Sequence, residues 1–244
     1  SLPPKHLIVF RSPTGALYHE ECLTRQGFDG PYVLLYHERE PHRHSAWRVS
    51  CRGSMPVVEE TEVTAALLRR RHFKTFEAGA GTTPLASRVP LMFNDDVVTG
   101  WANPTASDDV YFANLDGDDL VYIHEGRGML RSILGDVAFE PKDYVFVPRG
   151  IKHRWIVDEH VPQRWAWFEC RHDFFLPRQW RTSTGQIRMD APFCHRDFRK
   201  PAFAGPVDEG IRTFVVKRDG RYTEFDQPWS PLDCVGWDGS VYPW

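Results

Sequence analysis

The chemistry open to this 244-residue chain is set first by the spacing of its eleven histidines and five cysteines. His37, His42 and His44 lie in Tyr36-His37-Glu38-Arg39-Glu40-Pro41-His42-Arg43-His44 and include a His-x-His pair, a spacing that can hold a metal ion. Arg39 and Arg43 stand among them, and their charge opposes a bound cation, so a solvated charged loop is expected. Cys194 adjoins His195, with Asp190 and Asp197 nearby. A thiol nucleophile also needs an activating base and oxyanion donors, and no motif supplies them. The cysteines at 22, 51, 170, 194 and 234 form no Cys-x-x-Cys pair, which disfavours a zinc knuckle or thioredoxin-like site and leaves reduced cytosolic thiols as the expectation. Arg69-Arg70-Arg71-His72 reads as an exposed basic face or subunit contact, and no phosphate-binding glycine loop occurs.

The elements that position these groups are predicted to be strands. Thirty Lys+Arg against 33 Asp+Glu leave a net charge of -3, which excludes a basic nucleic-acid-binding face and an acidic disordered chain. Mean hydropathy is -0.46, and no apolar run reaches the roughly 18–20 residues of a membrane helix. The first residues, Ser1 to His6, hold no apolar signal core, so the cytoplasm is the expected location. Nine Trp, eight Tyr and sixteen Phe, punctuated by 19 Pro and 18 Gly, favour many short strands over long helices.

Alternation and turn chemistry locate several of them. Asp118 to Glu125 puts Leu120, Tyr122 and His124 on one face and Val121 and Ile123 on the other. Strands are also predicted at 32–36, 129–133, 144–147 and 165–170, with strand, turn and strand over 90–98. Asp219-Gly220 between two apolar alternations is a hairpin turn. Residues 59–72 hold the only possible helix, and a charged edge strand fits them almost as well. The pattern implies an antiparallel sandwich or barrel.

Residues 114–155 carry a fold signature. Asn114-Leu115-Asp116-Gly117-Asp118-Asp119-Leu120-Val121-Tyr122-Ile123-His124-Glu125-Gly126-Arg127-Gly128 resembles the first motif of the cupin superfamily, and Pro148-Arg149-Gly150-Ile151-Lys152-His153 resembles the second. The resemblance implies an all-β, cupin-like antiparallel sandwich or jelly roll with little helix, with His153 facing into the barrel. No His-x-His stands between Ala113 and Asp116, where that superfamily offers two metal ligands. Asp119 lies about where the ligand carboxylate belongs, and His124 is not at a ligand position. One imidazole and one carboxylate fall short of the 2-His-1-carboxylate triad of non-haem Fe(II) chemistry, so no metal is expected here.

Three further stretches resemble homogentisate 1,2-dioxygenase, its bacterial branch in particular. They are Glu20-Glu21 through Gly27-Phe28-Asp29-Gly30-Pro31 to His37; Gly185-Gln186-Ile187-Arg188-Met189-Asp190-Ala191-Pro192-Phe193-Cys194-His195-Arg196-Asp197-Phe198-Arg199; and Trp229-Ser230-Pro231-Leu232-Asp233-Cys234-Val235-Gly236-Trp237-Asp238-Gly239-Ser240-Val241-Tyr242-Pro243. The resemblance implies two cupin-like halves, a structural first and a second that holds Fe(II) through two His and one Glu. It implies opening of homogentisate by O2 to maleylacetoacetate in tyrosine and phenylalanine catabolism, by a cytoplasmic homo-oligomer, a hexamer in that family.

In that family the third stretch leads into the iron-binding half, and this sequence stops at Trp244. Aromatic Tyr242 and Trp244 at a terminus, where polar residues are usual, point the same way. The chain is therefore expected to be the N-terminal part of a longer dioxygenase, inactive by itself, with no catalytic residue and no Fe(II) of its own. Segments 1–84, 85–180 and 181–244 are expected as packing strands, a degenerate cupin core, and a connection towards the catalytic half. The alternative is a non-catalytic cupin that binds a small aromatic or organic acid in its barrel, with Asp119, Arg149, His153 and Arg154 as polar groups among aromatics. Neither nucleic acid nor membrane is an expected partner.

Overall fold

The computed structural model describes residues 10–24, 32–52, 72, 74–77, 82–172, 174, 176–183 and 186–239. Three strands come first, β1 (His19–Thr24), β2 (Tyr32–His37) and β3 (Ala46–Val49). Then follow β4 (Val89–Phe93), β5 (Val97–Ala102), β6 (Tyr111–Asn114), β7 (Asp118–Glu125), β8 (Gly128–Ser132) and β9 (Gly135–Phe139). The last six are β10 (Tyr144–Val147), β11 (His153–Val157), β12 (Arg164–Cys170), β13 (Arg212–Arg218), β14 (Arg221–Gln227) and β15 (Cys234–Gly239). Among the described residues the only helical turns are three short 3-10 segments. The helix or edge strand proposed for 59–72 lies outside the described residues save for His72.

The strands form the cupin-like sandwich expected from residues 114–155. A seven-stranded sheet runs β3-β14-β13-β6-β11-β8-β9 and a five-stranded sheet runs β10-β7-β12-β5-β4. Pairing is antiparallel except that β13 runs parallel to β6. Asp219-Gly220 makes the β13–β14 hairpin with both residues at positive φ (51° and 70°), as a tight primed turn requires.

Alternation along β7 buries Asp119, Val121 and Ile123 and leaves Leu120, Tyr122 and His124 on the outer side. β12 does the same with Trp165, Trp167 and Glu169. The two sheets meet through aromatic rings: Trp155 of β11 lies 5.0 Å from Trp165, and Phe139 stands edge-on to both at 5.4 and 5.5 Å. Trp167 needs room, and Gly100 in β5 provides it. A Cβ there would meet the Val89 carbonyl and come within 2.7 Å of Trp167 Nε1.

A small third sheet, β1-β2-β15, adds Val33, Leu35 and Trp237 to the same core. Its polar lock corrects the expectation for His37. That residue ends β2 fully buried, with Nδ1 donating to Asp233 (2.6 Å) and Nε2 to Glu21 (3.1 Å). Lys152 Nζ reaches Glu21 from the sandwich at 3.1 Å. Burial works against the His37 charge, but its bonds to Asp233 and Glu21 outweigh this and raise its pKa. Burial would likewise raise Glu21, yet Lys152 and His37 hold it at about 2. His42 and His44 do lie in an exposed loop.

Gly100→Ala forces Trp167 or β4 to shift, so it is expected to destabilise the fold by about 1–3 kcal/mol. Urea unfolding measures this, and an unchanged midpoint would show that β4 and Trp167 do not close on Gly100.

Candidate functional site

The barrel interior around His153 is where the sequence concentrates its polar candidates. β6 ends at Asn114, whose Oδ1 accepts the backbone N–H groups of Asp116 (2.9 Å) and Gly117 (3.3 Å) and so reverses the chain into β7. Its amide then donates to Asp119 Oδ1 at 3.1 Å, while Arg88 donates to Asp119 Oδ2 at 2.9 Å. The Arg88 guanidinium lies over two rings, Phe112 at 5.6 Å and Trp167 at 5.2 Å. Burial opposes its charge, and Asp119 more than restores it.

A second buried pair stands beside the first. In the β7–β12 register Glu169 faces Asp119, and Lys217 of β13 crosses the interior to bond Glu169. Asp116 is 3.8 Å from the same ammonium. Burial and the neighbouring Asp119 push the Glu169 carboxyl up against the pull of Lys217. Two neighbouring carboxylates are thus each matched by a cation of their own within a buried interior.

His153 opens β11 opposite Ser132 and Phe112, with the Phe112 ring edge-on at 5.6 Å. Its Nδ1 lies 2.8 Å from the Ile151 carbonyl, which can only accept, so Nδ1 carries the proton and Nε2 a lone pair. Among the described residues Nε2 has no hydrogen-bond partner. Burial drives the His153 pKa down to about 4, with Arg88 adding to burial and the Ile151 carbonyl and Asp119 opposing it. The imidazole is therefore neutral.

Asp119 and His153 share this interior, and Arg154 is engaged elsewhere. The Arg149 backbone N–H donates to Asp118 (2.9 Å), the neighbour that alternation turns to the other face of β7. Arg154 lies over the Tyr111 ring at 5.6 Å and pairs with Asp208 at 3.2 Å. Arg88, Lys217 and Glu169 are the interior groups that sequence reasoning missed; Lys217 and Glu169 sit on strands whose buried face is otherwise apolar. Around the Cys194 cluster, Asp190 is bound by Arg188, and Asp197 accepts the Cys194 backbone N–H at 2.7 Å.

The donor set does not fit Fe(II). One imidazole nitrogen is available, both carboxylates are already held by cations, and a dication would sit against Arg88 and Lys217. No group of three or more His, Cys, Asp or Glu among the described residues is placed to hold a metal ion.

Comparison with known proteins bears on residues throughout the chain. The family model "Homogentisate 1,2-dioxygenase N-terminal" matches residues 97–244. The Saccharolobus solfataricus protein described as "Putative dioxygenase SSO1533" is 25% identical over 246 residues, covering 99% of this chain and 61% of its own length. Homogentisate 1,2-dioxygenase of Rhizobium etli is 29% identical over 170 residues, covering 68% of this chain and 34% of its own. A cupin-2 domain containing protein from Shewanella frigidimarina overlays 34% of this chain and 79% of its own with a TM-score of 0.31 at 14% identity.

The His153 pKa makes stability pH-dependent with a definite sign. Its folded value, about 4, lies below the ordinary histidine value of 6.5, so its contribution is complete above pH 6.5 and is lost as pH falls towards 4. Between those limits the unfolded chain takes a proton that the folded chain refuses, worth about 3 kcal/mol. Buried Asp108, pushed up to about 6, titrates in the opposite sense, so the comparison must be between variants. His153→Asn is expected to lose about 3 kcal/mol less than the parent between pH 7.5 and 4. Parallel stability curves for the two would refute the assignment.

Proposed function

This chain belongs to the homogentisate 1,2-dioxygenase N-terminal family, and we propose that it is the non-catalytic scaffold half of an aromatic-ring-cleaving dioxygenase. In this reading the parent enzyme is cytoplasmic and opens homogentisate with O2 to maleylacetoacetate in tyrosine and phenylalanine catabolism. Fe(II) is held by residues outside these 244, and the halves assemble as a homo-oligomer, with a hexamer as the expected form. The observation that carries the reading is the barrel interior itself. The place where a cupin would gather metal ligands is filled by the Arg88–Asp119 and Lys217–Glu169 pairs. Such an interior holds two sheets together and leaves redox chemistry to another site.

The outer surface supports the assembly role. Trp47 is 67% exposed and Met92 69%, and Phe76 and Phe93 are also open. Large apolar side chains of this kind suit contacts with other parts of the enzyme or with neighbouring copies.

Oxygen-electrode assays on the full-length protein, with iron measured in the same samples, test the proposal. Homogentisate is expected to support O2 uptake where gentisate does not. His153→Asn is expected to leave iron stoichiometry unchanged and kcat within about twofold, while lowering thermal stability. Loss of iron from a folded His153→Asn protein would move the metal into this half and end the scaffold reading.

A further inference from the structure

The sandwich is not closed all round. β9 ends the seven-stranded sheet and β10 ends the five-stranded one, and between these two edges lies a cavity of about 620 Å³. That volume falls within the range of sites for small organic ligands. Its floor is apolar core, including Leu130, Val145 and Val147, and Ala138 lines its β9 side. Phe146, Phe174 and Phe198 add aromatic faces, with Phe146 and Phe174 edge-on at 6.0 Å.

The charges on its lining are biased. Lys142, Arg181 and Arg199 stand against Asp143 and Asp197. Both carboxylates are already committed, Asp143 to Arg199 and Asp197 to the backbone N–H of Cys194. Among the described residues the Lys142 ammonium has no ion-pair partner.

Lys142 is also held in an unfavourable backbone conformation. Glu140 to Asp143 form a turn closed by Asp143 N–H to the Glu140 carbonyl at 3.1 Å, with Pro141 second and Lys142 third at φ 81°. A turn with Pro in the second place and positive φ in the third is type II, which favours glycine in that third position. A lysine there strains the backbone and places a cation on the cavity, where glycine would relieve the strain and supply no charge.

We propose that the gap between β9 and β10 is a binding site for an amphipathic carboxylic acid with a flat apolar body, its carboxylate paired with Lys142. The site is separate from the ion-paired interior at His153, and it stands whether or not the scaffold reading holds. The apolar floor takes the ring system, and the lysine makes a charge-assisted contact at the rim.

Calorimetry on the full-length protein with 2-naphthylacetate as probe tests this, with neutral 2-naphthylacetamide as control. One equivalent per chain is expected, with the amide at least tenfold weaker. Lys142→Gly is expected to raise Tm by about 2–4 °C while weakening the probe about tenfold. Lys142→Arg is expected to retain binding. Ala138→Trp, which fills the cavity, is expected to abolish it. A purely structural role for Lys142 predicts no loss of affinity in the stabilised glycine variant. Absence of saturable binding, or binding indifferent to Lys142→Gly and to Ala138→Trp, overturns the proposal. Should Ala138→Trp fail to fold, the two Lys142 variants decide the matter alone.

Discussion

Charge neutrality inside the sandwich is the constraint on which the remainder of this structure depends. Arg88 comes from the segment before β4, Asp119 from β7 and Glu169 from β12, all on the side of the five-stranded sheet, and Lys217 comes from β13 of the seven-stranded one. The Lys217–Glu169 pair therefore ties the two sheets, while Arg88 balances the second carboxylate beside it. Removing one member leaves a buried charge without its partner, which costs about 3–5 kcal/mol, whereas an apolar core tolerates many exchanges. The pairs also restrict register. A one-residue slip of β12 against β7 would turn Glu169 outward and take from Lys217 its nearest carboxylate.

The small third sheet is attached by the same means. Lys152 leaves the loop before β11, and Glu21 and His37 lie on β1 and β2, with Asp233 just ahead of β15. Apolar burial supplies the bulk of the adhesion there, through Leu35 and Trp237. The His37 imidazolium, sharing two carboxylates, fixes which way the sheet faces.

Much of this was legible in the sequence where neighbours in the chain are neighbours in the fold. The alternation of Asp118 to Glu125 and the Asp219-Gly220 turn appear as read, because a two-residue period and a primed turn are local properties. The cupin-like motifs placed His153 inside for the same reason. His37 was misplaced because its partners are 196 and 16 residues away, and the charges that follow it in the chain imitate a loop. Arg88 and Lys217 were invisible on similar grounds. A lone basic residue in a strand or turn looks exposed until the carboxylate waiting opposite it is known.

The parallel pairing of β13 with β6 has a further consequence, for the order of events during synthesis. β6 at residues 111–114 must wait for β13 at 212–218 before its second edge is covered, and β2 waits for β15 at 234–239. A nascent chain that has grown only to about residue 200 therefore presents open strand edges and a Glu169 still without Lys217. Such intermediates are slow to resolve and prone to associate. The burden of keeping them apart falls on the translation rate and on chaperones, and a pause just beyond residue 170 would prolong the most vulnerable interval.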